Sequence, residues 1–153
     1  MNEISIRKAK VDDVEVLHQL LTQLEASLEA TGRVHRRPED LLRHGFSASP
    51  LYQALIAWQD GQPVGLALFF PEFSSWRGSP GVYVQDLFVA QPARCAGLGR
   101  SLMEAVFKAA GEWGAEYCKL SVYDDNDAAI SFYESLGFHI AKNERVLLLD
   151  RLP

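Results

Sequence analysis

The chain has only two cysteines, Cys95 and Cys118, among 153 residues. That excludes a disulfide scaffold and points to a reducing compartment with both thiols free. Long apolar runs are lacking, and none approaches the roughly 18 residues of a membrane span. The first residues, MNEISIRKAK, lack the apolar centre of a secretory signal. The expectation is a cytoplasmic protein with no membrane partner. Positive charge is not in excess either. A formal net charge of -5 argues against a general nucleic-acid binder. His18, His35, His44 and His139 show no ligand spacing, so no metal site is expected. Repeats, low-complexity tracts and linker-like composition shifts are missing, and a single domain over residues 1–153 is expected.

What is present is a globular composition, 48% apolar. ISIRKA alternates and reads as a first strand. Asp12 or Asp13 is positioned to cap a helix in which Val14, Leu17, Leu21, Leu24 and Leu28 form one apolar face. ATGRVHRR reads as a loop, and RVHRRPED as a solvated charge run. PEDLLRHGF reads as a short helix, with Pro38 in its first turn, Gly45 at its end, and Glu39 and Asp40 complementing its dipole. LYQALIAWQ and QPVGLALFF flank Asp60-Gly61, a hairpin signature. PEFSSWRGSPG reads as a turn-rich connection and VYVQDLFV as a buried strand. A helix follows with Leu98, Leu102, Val106, Ala109 and Trp113 on one face. YCKLSVY is predicted as a strand, NDAAISFYESLGF as a helix ended by Gly137, and RVLLLDRL as a closing strand. The order β-α-α-β-β-β-α-β-α-β makes the chain α/β, with a mixed central sheet and helices on both faces.

The chemistry concentrates between VYVQDLFV and the helix after it. Helix N-terminal amides lack intrahelical partners and carry partial positive charge. Gly97 and Gly99 permit close backbone approach, and Arg94 and Arg100 add charge. Read alone, the segment is either a pyrophosphate cradle or an ordinary strand-to-helix turn. No Walker G-x-x-x-x-G-K-[ST] occurs, and Gly97-Leu98-Gly99 lacks the third glycine of a dinucleotide fingerprint.

What remains is R-x-x-G-x-G/A. RCAGLG followed by RSLMEAV resembles the acetyl-CoA loop of the GNAT superfamily of N-acyltransferases. Downstream, NDAAISFYESLGF resembles its second signature, N-x-x-A-x-x-F-Y-x-x-x-G-F. PEDLLRHGF and ALFFPEFSSWRGSPGVYVQDLFV are further similar to the diamine branch, which includes spermidine/spermine and thialysine acetyltransferases. Three departures stand out. Cys95 replaces the usual glycine after Arg94, Gln85 stands where the branch has glutamate, and Asp125 precedes Asn126 where tryptophan is common.

The resemblance implies a GNAT-type acyl-CoA N-acyltransferase fold and acetyl-CoA as co-substrate. It implies direct transfer of acetyl to a primary amine of a small molecule, polyamine- or thialysine-like, in a ternary complex. A protein N-terminal or lysine acetyltransferase, and a non-catalytic acetyl-CoA sensor, are the alternatives. By resemblance, Leu87, Phe88 and Val89 pair their backbone with the pantetheine arm. Arg94, Cys95, Ala96, Gly97, Leu98, Gly99 and Arg100 hold the pyrophosphate, and Asn126 hydrogen-bonds the cofactor. Tyr133 is the candidate general acid. Gln85 cannot serve as a base, so Asp86 or a water chain takes that role, unless Asp86 is a strand carboxylate satisfied by its neighbours. Trp76, Tyr83 and Gln85 are candidates for lining the acceptor pocket, although aromatics such as the first two more often serve packing. Cys95, among helix amides and arginines, is expected to be a sensitive thiol. The branch also implies a homodimer.

Overall fold

The computed structural model describes residues 3–29 and 34–153, with positions 95 and 96 described by backbone alone. The chain divides into two compact units, Met1–Ser121 and Val122–Pro153.

The first unit is built on a five-stranded sheet in the order β1-β2-β3-β4-β5. The strands are β1 (Ile4–Lys8), β2 (Gln53–Gln59), β3 (Gln62–Ser74), β4 (Ser79–Val89) and β5 (Cys118–Leu120). The first four are antiparallel neighbours, and β5 joins β4 in parallel. Helices α1 (Val14–Ser27) and α2 (Pro38–Gly45) precede β2, and α3 (Leu98–Ala110) follows β4. Asp60-Gly61 turns β2 into β3, as the dipeptide predicts.

Strand alternation separates two cores. Residues paired across neighbouring strands project to one face. Ala54, Ile56, Leu66, Leu68 and Phe88 share a buried cluster with Leu17, Leu20 and Leu21 of α1 and Leu41 of α2. Leu55, Ala57, Ala67 and Phe69 alternate with them, and on that side α3 buries Leu98, Leu102, Met103 and Val106. Each buried Leu, Ile, Val, Met or Phe among them contributes about 1.5–3 kcal/mol of transfer free energy.

Several expectations are corrected. Asp13 precedes α1 but makes no side-chain cap. Its carboxylate instead accepts from the Lys10 amide at 2.7 Å and from both Arg7 Nη atoms at 2.7 and 3.1 Å. Those Arg7 hydrogen bonds, with the Lys10 amide and charge, hold its pKa below the usual value against some desolvation. PEFSSWRGSPG is mostly strand: β3 runs on to Ser74 and β4 begins at Ser79, paired Ser74↔Ser79. The Gly-Pro punctuation suggested a loop because Pro71 and Pro80 cannot donate, yet both are tolerated in this long hairpin. Only 118–120 of YCKLSVY is strand.

In the second unit, α4 (Asp127–Ser135) is followed by a tail without regular secondary structure. RVLLLDRL forms no strand. Leu147 is 90% exposed, and among the described residues no strand pairs with this run. A β segment is stabilised by a partner's backbone groups, which three consecutive leucines do not replace.

Candidate active site on strand β4

The site begins with an irregularity in β4. Opposite β3, Leu68 pairs with Asp86 while Phe69 pairs with Val84, so Gln85 is an extra, bulged residue. A bulge of this kind twists its strand and disrupts local pairing. On the other side, β5 pairs only with Val82–Val84. Beyond the bulge, among the described residues, Asp86–Val89 have no strand on that side. The resemblance places an extended ligand along this side at Leu87, Phe88 and Val89, where Arg94 already takes the Val89 carbonyl.

The open edge leads into the loop. A 3-10 turn over Gln91–Ala96 ends at Gly97, whose φ of 71° lies in the left-handed region. A Cβ there meets nothing within 4 Å, so the position faces open space while its backbone favours glycine. Gly97 also caps α3, and Ser101 N–H closes on its carbonyl at 3.1 Å. Leu98 is buried beneath, and Gly99 and Arg100 occupy the first turn. Arg94 differs from expectation in one respect: its Nε donates to the Val89 carbonyl at 2.9 Å and its guanidinium lies 6.0 Å from the Phe88 ring centroid. It thus braces the strand-to-loop junction. The expectation for the thiol of Cys95 lies outside the described residues' side chains.

Asp86 shares the α1–α2 face of the sheet, because it pairs with Leu68. Burial pushes its pKa up to about 6, with Arg36 pulling it down and Glu25 pushing it further up. A carboxyl so tuned accepts a proton more readily than an exposed aspartate and is still mainly ionised at neutral pH. Tyr83, also on this side of β4, stacks on Phe70 at 5.2 Å, and its hydroxyl lies 2.8 Å from Ser121 Oγ. Gln85 is exposed at the bulge. Trp76 is 100% exposed in the β3–β4 turn and lines nothing within this chain.

The charges beside Asp86 were missed from sequence. Arg36, just ahead of α2, pairs through Nη1 with Glu25 of α1, and its Nε lies 3.4 Å from His18 Nδ1. RVHRRPED is therefore not wholly a solvated run: the Arg36 side chain is only 18% exposed. The spacing of His18 and Glu25, seven apart on one helix face, is a signal without a partner, since Arg36 reaches them across a loop.

The second unit holds Asn126 and Tyr133. Asn126 caps α4, its Oδ1 accepting from the Ala129 amide at 3.2 Å. Tyr133 lies in the last turn, its ring edge-on to Phe132 at 5.2 Å and Phe138 at 5.5 Å. Phe138 N–H returns to the Tyr133 carbonyl at 3.1 Å and Gly137 N–H to Glu134 at 3.0 Å. With Gly137 at φ 98°, this is a complete Schellman motif with its hydrophobic contact. Tyr133 thus has a packing role whatever else its hydroxyl does. Among the described residues no cluster of three or more metal-ligating side chains occurs, and no helix is long and apolar enough to cross a membrane.

A mixed sheet followed by a glycine turn into a helix is the arrangement that the GNAT resemblance implies. The Acetyltransferase (GNAT) family matches residues 17–138. Thialysine N-epsilon-acetyltransferase of Bos taurus is 29% identical over 142 residues, 88% of this chain and 83% of that protein. L-ornithine N5-acetyltransferase of Arabidopsis thaliana is 34% identical over 119 residues, 78% of this chain and 49% of that protein. An aminoglycoside N-acetyltransferase solved in complex with CoA superposes with a TM-score of 0.75 at 20% identity, covering 99% of this chain and 96% of that one. The chain belongs to the GNAT acetyltransferase family and is an N-acetyltransferase.

Proposed function

We propose that the chain, acting as one domain over residues 1–153, transfers acetyl from acetyl-CoA to a primary amine of a small molecule by direct attack in a ternary complex. One observation carries this: the edge of β4 opens at Gln85 and runs straight into a left-handed glycine turn and a helix N-terminus. In this reading the side of β4 left without a strand at Leu87–Val89, apart from the Val89 carbonyl taken by Arg94, receives the extended arm, and the Arg94–Arg100 turn the phosphate. Acetyl-CoA supplies an acetyl group activated as a thioester. Everything else belongs to the chain. Holding two reactants in register contributes about 7–11 kcal/mol of barrier lowering. An amine with an ordinary pKa near about 10.4 arrives protonated. Asp86 takes a proton from it at a carboxylate oxygen, directly or through water, and Tyr133 Oη gives one to the departing sulfur. Tyr83 and Gln85 border the acceptor, and Asn126 contributes to cofactor binding. The relatives support a small amine: by name they act on thialysine and ornithine. We further assign a cytoplasmic homodimer, with the exposed Trp76 turn at the subunit contact. A monomeric mass by light scattering at micromolar concentration overturns the dimer.

The test of the activity is thiol release from acetyl-CoA with a panel of small amines, with product masses. Acetylated product supports the reading, and cofactor binding without turnover on any amine refutes it. Tyr133→Phe tests the acid. It keeps the ring contacts with Phe132 and Phe138 and removes the hydroxyl. The expected result is kcat lower by about 10²–10⁴-fold in a variant that still folds and binds acetyl-CoA. Full activity in the folded variant leaves Tyr133 as packing alone.

A further inference from the structure

Strands β4 and β5 part at a defined corner. Their last pair is Val84 and Leu120, and the next β4 residue, Gln85, is the bulge. Ser121 is the first residue past β5. At this point side chains take over from the ladder: the hydroxyls of Tyr83 and Ser121 share a hydrogen bond of 2.8 Å. The Tyr83 ring also stacks on Phe70 of β3, with centroids 5.2 Å apart and planes 20° apart. Tyr83 is thus fixed along its ring by β3 and at its tip by the end of β5. Val84 alternates with it, faces the α3 side and is 3% exposed. The corner is therefore closed on both faces of the sheet, by a packed valine on one and by a hydroxyl bridge on the other.

A hydroxyl pair in the open adds little to stability, because water competes for both partners. Its place is more telling than its energy. In the reading above, phosphate lies at the Arg94–Arg100 turn and the arm follows Leu87–Val89, so the acyl end points toward this corner. Only Asp86 and the bulged Gln85 separate Leu87 from the last paired residue, and a strand advances about 3.3 Å per residue. The room ahead of a thioester is short, and the Tyr83–Ser121 bridge stands at its end.

We propose that the Tyr83–Ser121 bridge is the acyl stop of the site, a pair of specificity residues that limits the donor to an acyl group of about the size of acetyl. This rests on the acetyltransferase reading above. Phe70 acts as a positioning residue, since its stack keeps the Tyr83 ring where the bridge can form.

The test is calorimetry of CoA, acetyl-CoA, propionyl-CoA and butanoyl-CoA with wild type, Ser121→Gly and Tyr83→Phe. CoA carries no acyl group, so it reads the fold and the arm alone. Wild type is expected to bind butanoyl-CoA at least about tenfold more weakly than acetyl-CoA, with propionyl-CoA between them, the low end of discrimination against a surplus methylene in a closed pocket. Ser121→Gly removes both the hydroxyl and the Cβ from the corner, and its ratio should fall to within about threefold while CoA binds as before. Tyr83→Phe keeps the stack on Phe70 and removes only the bridge, so its ratio should fall part of the way. Equal affinity of wild type for the three acyl donors overturns the proposal. So does a Ser121→Gly protein that keeps the wild-type ratio, or one that weakens all four ligands alike, which is what a merely structural tie would do. If CoA binds and the ratio is flat, the acetyltransferase reading stands and the acyl stop alone fails. If CoA does not bind wild type, that reading fails first and the proposal with it.

Discussion

The two halves of β4 are one strand under opposite conditions. From Ser79 to Val84 it is paired with β3 and over Val82–Val84 also with β5. There Trp113 Nε1 donates to the Gly81 carbonyl at 3.0 Å, and Tyr117 OH donates to Glu72 at 2.9 Å with Arg77 over its ring. Burial pushes the neighbouring Cys118 thiol up to about 12, so it stays protonated. From Asp86 to Val89 the strand keeps one partner, and its carboxylate is desolvated beside an incompletely satisfied arginine. The first half satisfies its groups internally. The second has no strand on one side among the described residues, and the bulged Gln85 divides the two. Groups held in such unfavourable settings persist where function uses them.

The largest expected effect falls on the open half. Asp86→Asn is nearly isosteric and removes the proton acceptor. Its kcat/KM at pH 8 should drop by about 10²–10⁴-fold. The wild-type profile adds a second readout. An acid whose pKa lies at about 6 is a competent base only above it. Activity should therefore rise with pH through that region, and the asparagine variant should lose this limb. A retained limb in Asp86→Asn assigns the base to another group.

How far this division can be read in the sequence depends on what encodes it. The α1 face and the Asp60-Gly61 turn are local patterns, and so is the Asn126 cap. Periodicity, a dipeptide and a capping residue reveal them. The glycine loop was legible because its conformation needs glycine at 97. The bulge was not, since VYVQDLFV reads equally well as unbroken strand, and which residue is extra depends on β3. The Glu25–Arg36 pair was invisible for a similar reason: its partners belong to separate elements. RVLLLDRL shows the reverse failure, where β-prone residues suggested pairing that the described sheet does not supply.

Next in size is the loop that continues the open half. Gly97→Val forces a branched residue into left-handed backbone, where non-glycine residues lose roughly 1–2 kcal/mol. The added side chain faces open space rather than core. The expected result is acetyl-CoA affinity weaker by at least about tenfold by calorimetry, since the phosphate approach is blocked, in a protein that still folds. Unchanged affinity removes the cradle from this turn.

The paired half should answer in the opposite sense. A Cβ on Gly81 would lie 2.4 Å from the Tyr117 ring, closer than atoms pack. Gly81→Leu should therefore displace Tyr117 and cost about 1–3 kcal/mol in urea denaturation. In the folded fraction, acetyl-CoA affinity should match wild type. A variant of normal stability with weakened cofactor binding would invert the division of β4.

The smallest effect is the most direct measure of what the open half stores. Burial raises the folded pKa of Asp86 from 3.8 to about 6. The native state thus binds the proton more tightly than the unfolded chain, so ionising Asp86 disfavours the fold. The penalty is absent well below the unfolded value, grows between the two values, and is complete above the folded one. Two pKa units correspond to about 2–3 kcal/mol, reduced to about 1–2 kcal/mol for a variant because a buried asparagine also loses hydration. Asp86→Asn should accordingly be more stable than wild type by that amount at pH 8. The gain should shrink through pH 6 and vanish near pH 4. Taking the difference between the two proteins at each pH cancels every other titrating group. A stability difference that does not change with pH would mean that Asp86 is as well solvated as an exposed carboxylate, and that the open half of β4 stores no strain at that position.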